Sequence, residues 1–493
     1  MLDCGTRPQA MGMSASFEEG SGPMTAPATI PAPAYQPPAH GFRTFIILWA
    51  SQSFSLIGSA LTLFAANIWL ALTLYPRPEQ KAALAFALAA TSLAYALPAV
   101  FGAPLAGAWV DRHDRKRTML VAGLLNGGLC VVLTVLLATG ALQLWMLLIL
   151  LACYSAAEAL HYAAFDTSYA MLVPERLLPR ANGMMQTMQN FSFLFAPALA
   201  AALIAIPGLA RQGAIPGGVG TAIGRFADGT AFAIALDGLT FLATATVLFF
   251  LAIPSPLPIA TTERARPDLW ADVRVGFVYI WRRRPLLWLL GTFAVANLTG
   301  TPVIILLPLL VKFTLAADWM AWGFSYESAL ALLSTALGVG GVAGGVIISV
   351  WGGLRSRRVY GVVVPMLLGG VATVALGLSP LLYLSAALLF IFSFANPVLN
   401  AHSQTIWQTQ TPREMQGRVF AVRRLIAQCT LPLASGIAGA FGGAFGAGPV
   451  IVGCGSIIGL FCLAQLFNPA LLRVEDKAWL EQQAARHETR NAA

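Results

Sequence analysis

Glu158, His161, Phe165 and Ser168 stand at i, i+3, i+7 and i+10 within one apolar stretch. On a helix of 3.6 residues per turn that spacing puts all four on one face. A carboxyl and an imidazole one turn apart form a pair able to pass a proton. Low-dielectric surroundings disfavour the charged carboxylate, and an unperturbed histidine titrates at about 6.5. A later stretch repeats the polar face with Ser393, Asn396, Asn400 and Ser403, while others add Gln52, Ser55 and Ser59, then Gln186, Gln189 and Asn190 beside Phe193, then Asn297. Polar groups in hydrocarbon are costly and turn toward a bundle interior or a cavity. They are read here as lining a substrate cavity, with plain helix-to-helix bonding as the alternative. Asp237 is a second intramembrane acid, either a proton carrier or a structural group. Of Arg423 and Arg424, one can snorkel to the interface while the other meets substrate or a buried acid. A fixed pair of Glu158 with either arginine is therefore the rival to proton carriage.

Other chemistries find no support. The five histidines include no HExxH pair, no G-x-x-x-x-G-K-[ST] occurs, and the six cysteines form no CxxC. Cys130, Cys153, Cys429, Cys454 and Cys462 lie in apolar runs and read as small buried hydrophobes. Gly218-Val-Gly220-Thr-Ala-Ile-Gly224 imitates a dinucleotide loop but follows no strand. The expectation is a protein without cofactor or metal and not an enzyme; a membrane-embedded enzyme would have to rest on Glu158 and His161 alone.

The elements that must position these residues are membrane helices. Of 493 residues, 57% are hydrophobic and 10% charged, and mean hydropathy is +0.72. A globule of that composition lacks a polar skin, so the excess must face lipid. Twelve apolar runs fall near 44–74, 82–110, 118–140, 144–167, 182–206, 230–253, 286–312, 328–351, 358–378, 381–406, 418–444 and 448–472. The expected fold class is an all-α integral membrane protein of twelve transmembrane helices in two pseudo-symmetric six-helix bundles. A Pro/Ala-rich tail (1–42) precedes the N-terminal bundle (43–253), and Met11, Met13 and Met24 are alternative starts. A linker (254–285), whose Leu269, Val273, Phe277 and Ile280 mark an amphipathic helix, leads to the C-terminal bundle (286–472) and a C-terminal tail (473–493).

The net charge of +9 does not imply nucleic acid, because Lys and Arg cluster in every second loop. Arg112, Arg115, Lys116 and Arg117 form one cluster and Arg355, Arg357 and Arg358 another, and this pattern places both termini in the cytoplasm. The halves also match each other at one constant offset. Pro197 falls on Pro432, His161 on Asn396 and Ser168 on Ser403. Internal repetition of this kind is a transporter signature.

Between helices two and three runs Gly107-Ala-Trp-Val-Asp111-Arg112-His113-Asp114-Arg115-Lys116-Arg117. Gly107 permits close helix approach, and Asp111 and Arg115 are one turn apart. This stretch resembles the loop signature G-x-x-x-D-R-x-G-R-[RK] of the major facilitator superfamily, with Asp114 where the second glycine would stand. Three more stretches join it: Trp49-Ala-Ser-Gln52-Ser-Phe-Ser55-Leu-Ile-Gly58-Ser59, Asp272-Val-Arg-Val-Gly276-Phe-Val-Tyr279-Ile-Trp-Arg-Arg-Arg-Pro285, and Thr411-Pro412-Arg-Glu414-Met-Gln416-Gly417-Arg418-Val419. Together they are similar to the macrolide-efflux and enterobactin-exporter branch. Phe195-Ala196-Pro197-Ala198-Leu199-Ala200-Ala201 resembles the G-P-x-x-G-G stretch of proton-coupled exporters with Ala for Gly, or is simply a kink with small packing residues.

The resemblance implies a monomer in the inner (plasma) membrane that exports a drug-like or siderophore-like small molecule by alternating access in exchange for protons. Its cavity would be lined by helices 1, 4, 5, 7, 10 and 11. Asp111 and Arg115 would latch onto the start of helix eleven near Gly417 and Arg418. Uptake or lipid handling on the same fold is the alternative.

Overall fold

The computed structural model describes Pro38, residues 40–110, 113–174, 177–226, 228–253, 269–411, 413–476 and Trp479. Within its helices the side chains of 104, 108, 170, 178–180, 182, 183, 186, 187, 189, 190, 193, 269–273, 413, 414, 416–418, 421, 424, 427 and 428 are not described. Eleven helices among the described residues are long and apolar enough to cross a membrane, and a further helix carries the apolar segment Cys429–Phe445. Helices are the form lipid demands here, because each backbone N–H and C=O finds its partner within the segment.

The first six long helices are α1 Gly41–Trp69, α2 Lys81–Val110, α3 Arg115–Ala138, α4 Leu144–Leu172, α5 Leu178–Arg211 and α6 Thr230–Phe250. The second six are α7 Arg284–Ile305, α8 Tyr326–Trp351, α9 Arg358–Leu378, α10 Leu382–Gln410, α11 Arg413–Phe445 and α12 Ala447–Leu466. An amphipathic helix, Leu269–Trp281, precedes α7, and the glycine-rich stretch that imitates a dinucleotide loop forms a short helix, Gly217–Ile223. α5 overruns the expected 182–206 at both ends, because a helix need not stop where its apolar run meets the interface.

Packing repeats between the halves. α1 lies on α5 and α6, α2 on α4, and α3 on α4 and α6; α7 lies on α11 and α12, α8 on α10, and α9 on α10 and α12. The halves meet through two equivalent pairs, α2 with α11 and α5 with α8. Prolines sit inside helices at matching places, Pro197 in α5 and Pro432 in α11, where each removes an N–H and favours a bend. Val350 and Phe250 are 84% and 80% exposed, the mark of an outer surface made for lipid.

The first helix of each half ends alike, in a π-helical turn: Leu70–Leu74 after α1 and Leu310–Thr314 beyond α7. The expected unbroken helix over 286–312 is therefore interrupted after Ile305, beside Pro302 and Pro308. Such turns alter the carbonyl pattern and recur at functional sites. The carbonyl of Val311 accepts from Trp319 Nε1 at 2.8 Å. Its counterpart Ala71 is served from the other half, by Lys312.

Candidate functional site

Between the halves lies a cavity of about 900 Å³, within the range of drug-sized sites. Its walls come from α1, α2, α5 and α7 to α12, with Asn67, Tyr95, Pro197, Phe293, Asn297, Phe392, Ser393, Asn396, Asn400 and Arg423 among them. Of the expected cavity residues, Asn297, Asn396, Asn400 and Arg423 stand on this wall. Asn400 Nδ2 donates to Asn396 Oδ1 at 2.7 Å. Arg423 Nη1 donates to Gln404 Oε1 at 2.6 Å, and its guanidinium lies 5.7 Å from the Phe293 ring and 5.8 Å from that of Trp407. The side chains of Gln186, Gln189, Asn190 and Arg424 lie outside the described residues.

The helix-four face departs from expectation. None of its residues lines the central cavity; Glu158 and His161 turn into the N-terminal half. They border a separate pocket of about 20 Å³ with Gln52, Ser55, Ser59, Asn126 and Tyr162. Gln52 and Ser55, expected on the cavity wall, are likewise in this pocket, and both are buried. The reason is partner supply. His161 Nδ1 bonds the Met119 carbonyl at 3.1 Å and Nε2 meets Gln52 Oε1 at 2.8 Å. The Tyr95 hydroxyl donates to Glu158 Oε2, and Ser155 Oγ donates to the Tyr95 carbonyl at 2.6 Å. Tyr95 also lines the cavity, so one side chain joins the two compartments. The Glu158–Arg423 pair is not formed, since each has a different partner.

Asp237 is fully buried and off the cavity. It accepts from Thr62 Oγ1 at 2.6 Å, Tyr154 OH at 3.0 Å and Cys130 Sγ at 3.4 Å, and Tyr154 OH also reaches Ser59 Oγ at 2.7 Å. Four helices, α1, α3, α4 and α6, converge on this one carboxylate. The cysteines also divide: Cys130, Cys454 and Cys462 are buried, whereas Cys153 and Cys429 are exposed, against the expectation of burial for all five. Helices in lipid need not hide an apolar thiol.

In the loop 2–3 motif Asp111 and Arg112 lie outside the described residues, as does the side chain of Arg418, next to Gly417. Asp114 explains its own place there. It is the N-cap of α3, accepting from the Arg117 N–H at 2.7 Å, which a glycine cannot do. Arg115 Nη1 bonds the Thr167 carbonyl at 3.1 Å, and Lys116 Nζ bonds the Phe249 carbonyl at 2.8 Å at the end of α6, where a cation suits the helix terminus. Gly107, read as a close-approach site, has open space where a Cβ would stand. The second half's loop, which lacks an acid of its own, borrows one: Glu475 accepts from the Arg358 N–H at 2.8 Å.

Sequence reasoning missed Lys312. Its Nζ bonds the carbonyls of Ala71 and Tyr75 across the halves. Between α2 and α11, the Ser92 and Ser435 hydroxyls approach at 3.3 Å, and Gly439 and Gly443 of α11 pack on α2 near Ala89 and Ala82. The loop 1–2 end is thus closed. A lone lysine at the end of an apolar run was the available signal. Lys312→Met is expected to weaken closure by about 1–2 kcal/mol, a tenfold change in population. Thiol labelling of Asn67→Cys from the loop 1–2 face then rises several-fold; unchanged labelling would refute the latch.

A cavity between two pseudo-symmetric six-helix units is the architecture of a membrane transporter. The family model described as Major Facilitator Superfamily matches residues 48–431, and the chain belongs to that superfamily. Among its relatives is macrolide efflux protein A of Streptococcus pyogenes, 25% identical over 392 residues, which cover 79% of this chain and 87% of the relative. The protein of that name from Enterococcus faecalis is 25% identical over 352 residues, 71% of this chain and 98% of the relative. Solved structures share the fold. A bacterial homologue of the lysosomal transporter Spinster, inward-facing and unoccupied, has TM-score 0.57 at 14% identity, covering 91% of this chain and 98% of its own. The nucleoside transporter NupG has TM-score 0.62 at 12% identity, covering 87% and 99%. The protein is a multi-pass membrane transporter, not an enzyme.

Proposed function

We propose that the chain is a plasma-membrane exporter of a drug-like or siderophore-like molecule, exchanging it for protons by alternating access as a monomer. The observation that carries this reading is a buried acid joined to the wall of a drug-sized cavity through one hydroxyl, Tyr95 to Glu158. The efflux names of its relatives support the direction. With both termini cytoplasmic, as the loop charges favour, the closed loop 1–2 end faces outward and the cavity serves the cytoplasmic side. Residues 43–253 and 286–472 rock as two bodies joined by 254–285.

In this reading Glu158 is the proton carrier. A proton taken up at its carboxylate removes the charge to which Tyr95 donates, so the hydroxyl is freed toward the cavity. His161 is the next acceptor. Its Nδ1 faces a carbonyl and donates; its Nε2 faces Gln52, whose amide can offer oxygen to an imidazolium or NH2 to a neutral ring. Asn126 is fully buried with neither amide atom bonded to a described protein group. The 20 Å³ pocket it borders has room for about one water, which can bridge Glu158 and His161. Asp237, held by several donors, is structural.

The test is transport in inverted membrane vesicles. Respiration acidifies their lumen, and an exporter exchanging protons then accumulates a macrolide or siderophore inside, with a collapse of accumulation on adding a protonophore. Accumulation unaffected by the protonophore, or loss of substrate from preloaded vesicles on energisation, would overturn the reading.

A further inference from the structure

We propose that the substrate carries an acidic group, a carboxylate or phosphate-type anion, on an apolar body, and that Arg423 receives it. This rests on the cavity being the substrate site. Arg423 is the only charged side chain among the described residues of the cavity wall. Its guanidinium has five N–H donors in a planar fork, and Gln404 Oε1 takes one at 2.6 Å. Phe293 and Trp407 flank the guanidinium at 5.7 and 5.8 Å, which holds it in place without neutralising it. Among the described residues no carboxylate lies within ion-pairing distance of Arg423.

A cation set among apolar walls needs a counter-charge, and a planar two-oxygen anion matches the free side of the fork. The two acids Glu158 and Asp237 are engaged elsewhere. Glu158 is held by Tyr95 outside the cavity wall, and Asp237 is enclosed by Thr62, Tyr154 and Cys130. A cationic molecule entering the cavity would meet Arg423 and, among the described residues of the wall, no opposite charge. Asn396 and Asn400 offer neutral polar contacts beside Phe392 and Leu399, suited to the uncharged remainder of the ligand.

The experiment measures equilibrium binding to the purified full chain in nanodiscs, so it does not depend on the direction or energy of transport. Three probes share one fluorophore: dansylglycine is anionic, dansylamide neutral and dansylcadaverine cationic. The expected result is at least tenfold tighter binding of dansylglycine than of either other probe. Arg423→Gln removes that preference and Arg423→Lys restores most of it. The lysine variant separates loss of charge from loss of fold. Equal affinities, a cation preference, or an anion preference that survives Arg423→Gln would overturn the proposal. Repeating the measurement in discs with and without phosphatidylglycerol identifies the source of the acid. Displacement by the anionic lipid points to a headgroup, and persistence to a soluble acid. Failure of export in vesicles with the anion preference intact would count against the exporter reading alone.

Discussion

Glu158→Gln is expected to abolish gradient-driven accumulation while exchange of labelled for unlabelled substrate continues in the absence of a gradient. The amide is isosteric with the protonated carboxyl and offers the Tyr95 hydroxyl only a neutral oxygen, so the variant stands fixed in the proton-loaded form. What is lost is the ability to take up and release a proton, and therefore the link between the gradient and the transport cycle. Had Glu158 been paired with Arg423, the same substitution would have orphaned a buried cation and cost several kcal/mol. Because Arg423 bonds Gln404 instead, the variant is expected to remain folded and insert normally. The measurement is the ratio of accumulated to exchanged substrate in vesicles. A Glu158→Gln protein that still concentrates substrate against a gradient would remove Glu158 from the coupling mechanism.

Asp237→Ala is expected to act on the fold, by about 2–3 kcal/mol. Removing the carboxylate leaves the hydroxyls of Thr62 and Tyr154 without their shared acceptor at a fully buried position. Each buried donor left unmade costs about 1–3 kcal/mol, and the effects of neighbours are not additive. Tyr154 keeps Ser59 Oγ as a partner, which limits the loss. Asp237→Asn retains an acceptor oxygen and is expected to be milder. Thermal unfolding in detergent reads the difference, while export per folded molecule stays near that of the parent. An Asp237→Ala protein of unchanged stability that no longer accumulates substrate would move proton coupling from Glu158 to Asp237.

The two outcomes contrast because two acids of the same chemical kind have different surroundings. Glu158 has one described hydroxyl donor, which itself touches the cavity. Asp237 has donors from α1, α3, α4 and α6. Nothing in their local sequences distinguishes these roles. Glu158 sits among alanines and leucines, and Asp237 among alanine, leucine and glycine.

What the sequence alone determined was the set of helices and how they repeat. Apolar runs long enough to span hydrocarbon must become helices, since lipid offers their backbones no partner. Charged clusters in alternate loops, the Pro197 and Pro432 match and the loop 2–3 signature were all legible because each is a local pattern. Asn297, Asn396, Asn400 and Arg423 were legible as polar interruptions of apolar helices. What only the tertiary structure decided was which way each polar face turns. In water a helix's apolar stripe marks its buried side. In lipid the outer face is as apolar as the packed one, so periodicity cannot tell a cavity from a bundle interior. The helix-four face therefore turned inward to Tyr95, Met119 and Gln52 rather than to the cavity, and Lys312, one cation at the end of an apolar run, became a bond between halves only because α1 ends in a π turn beside it.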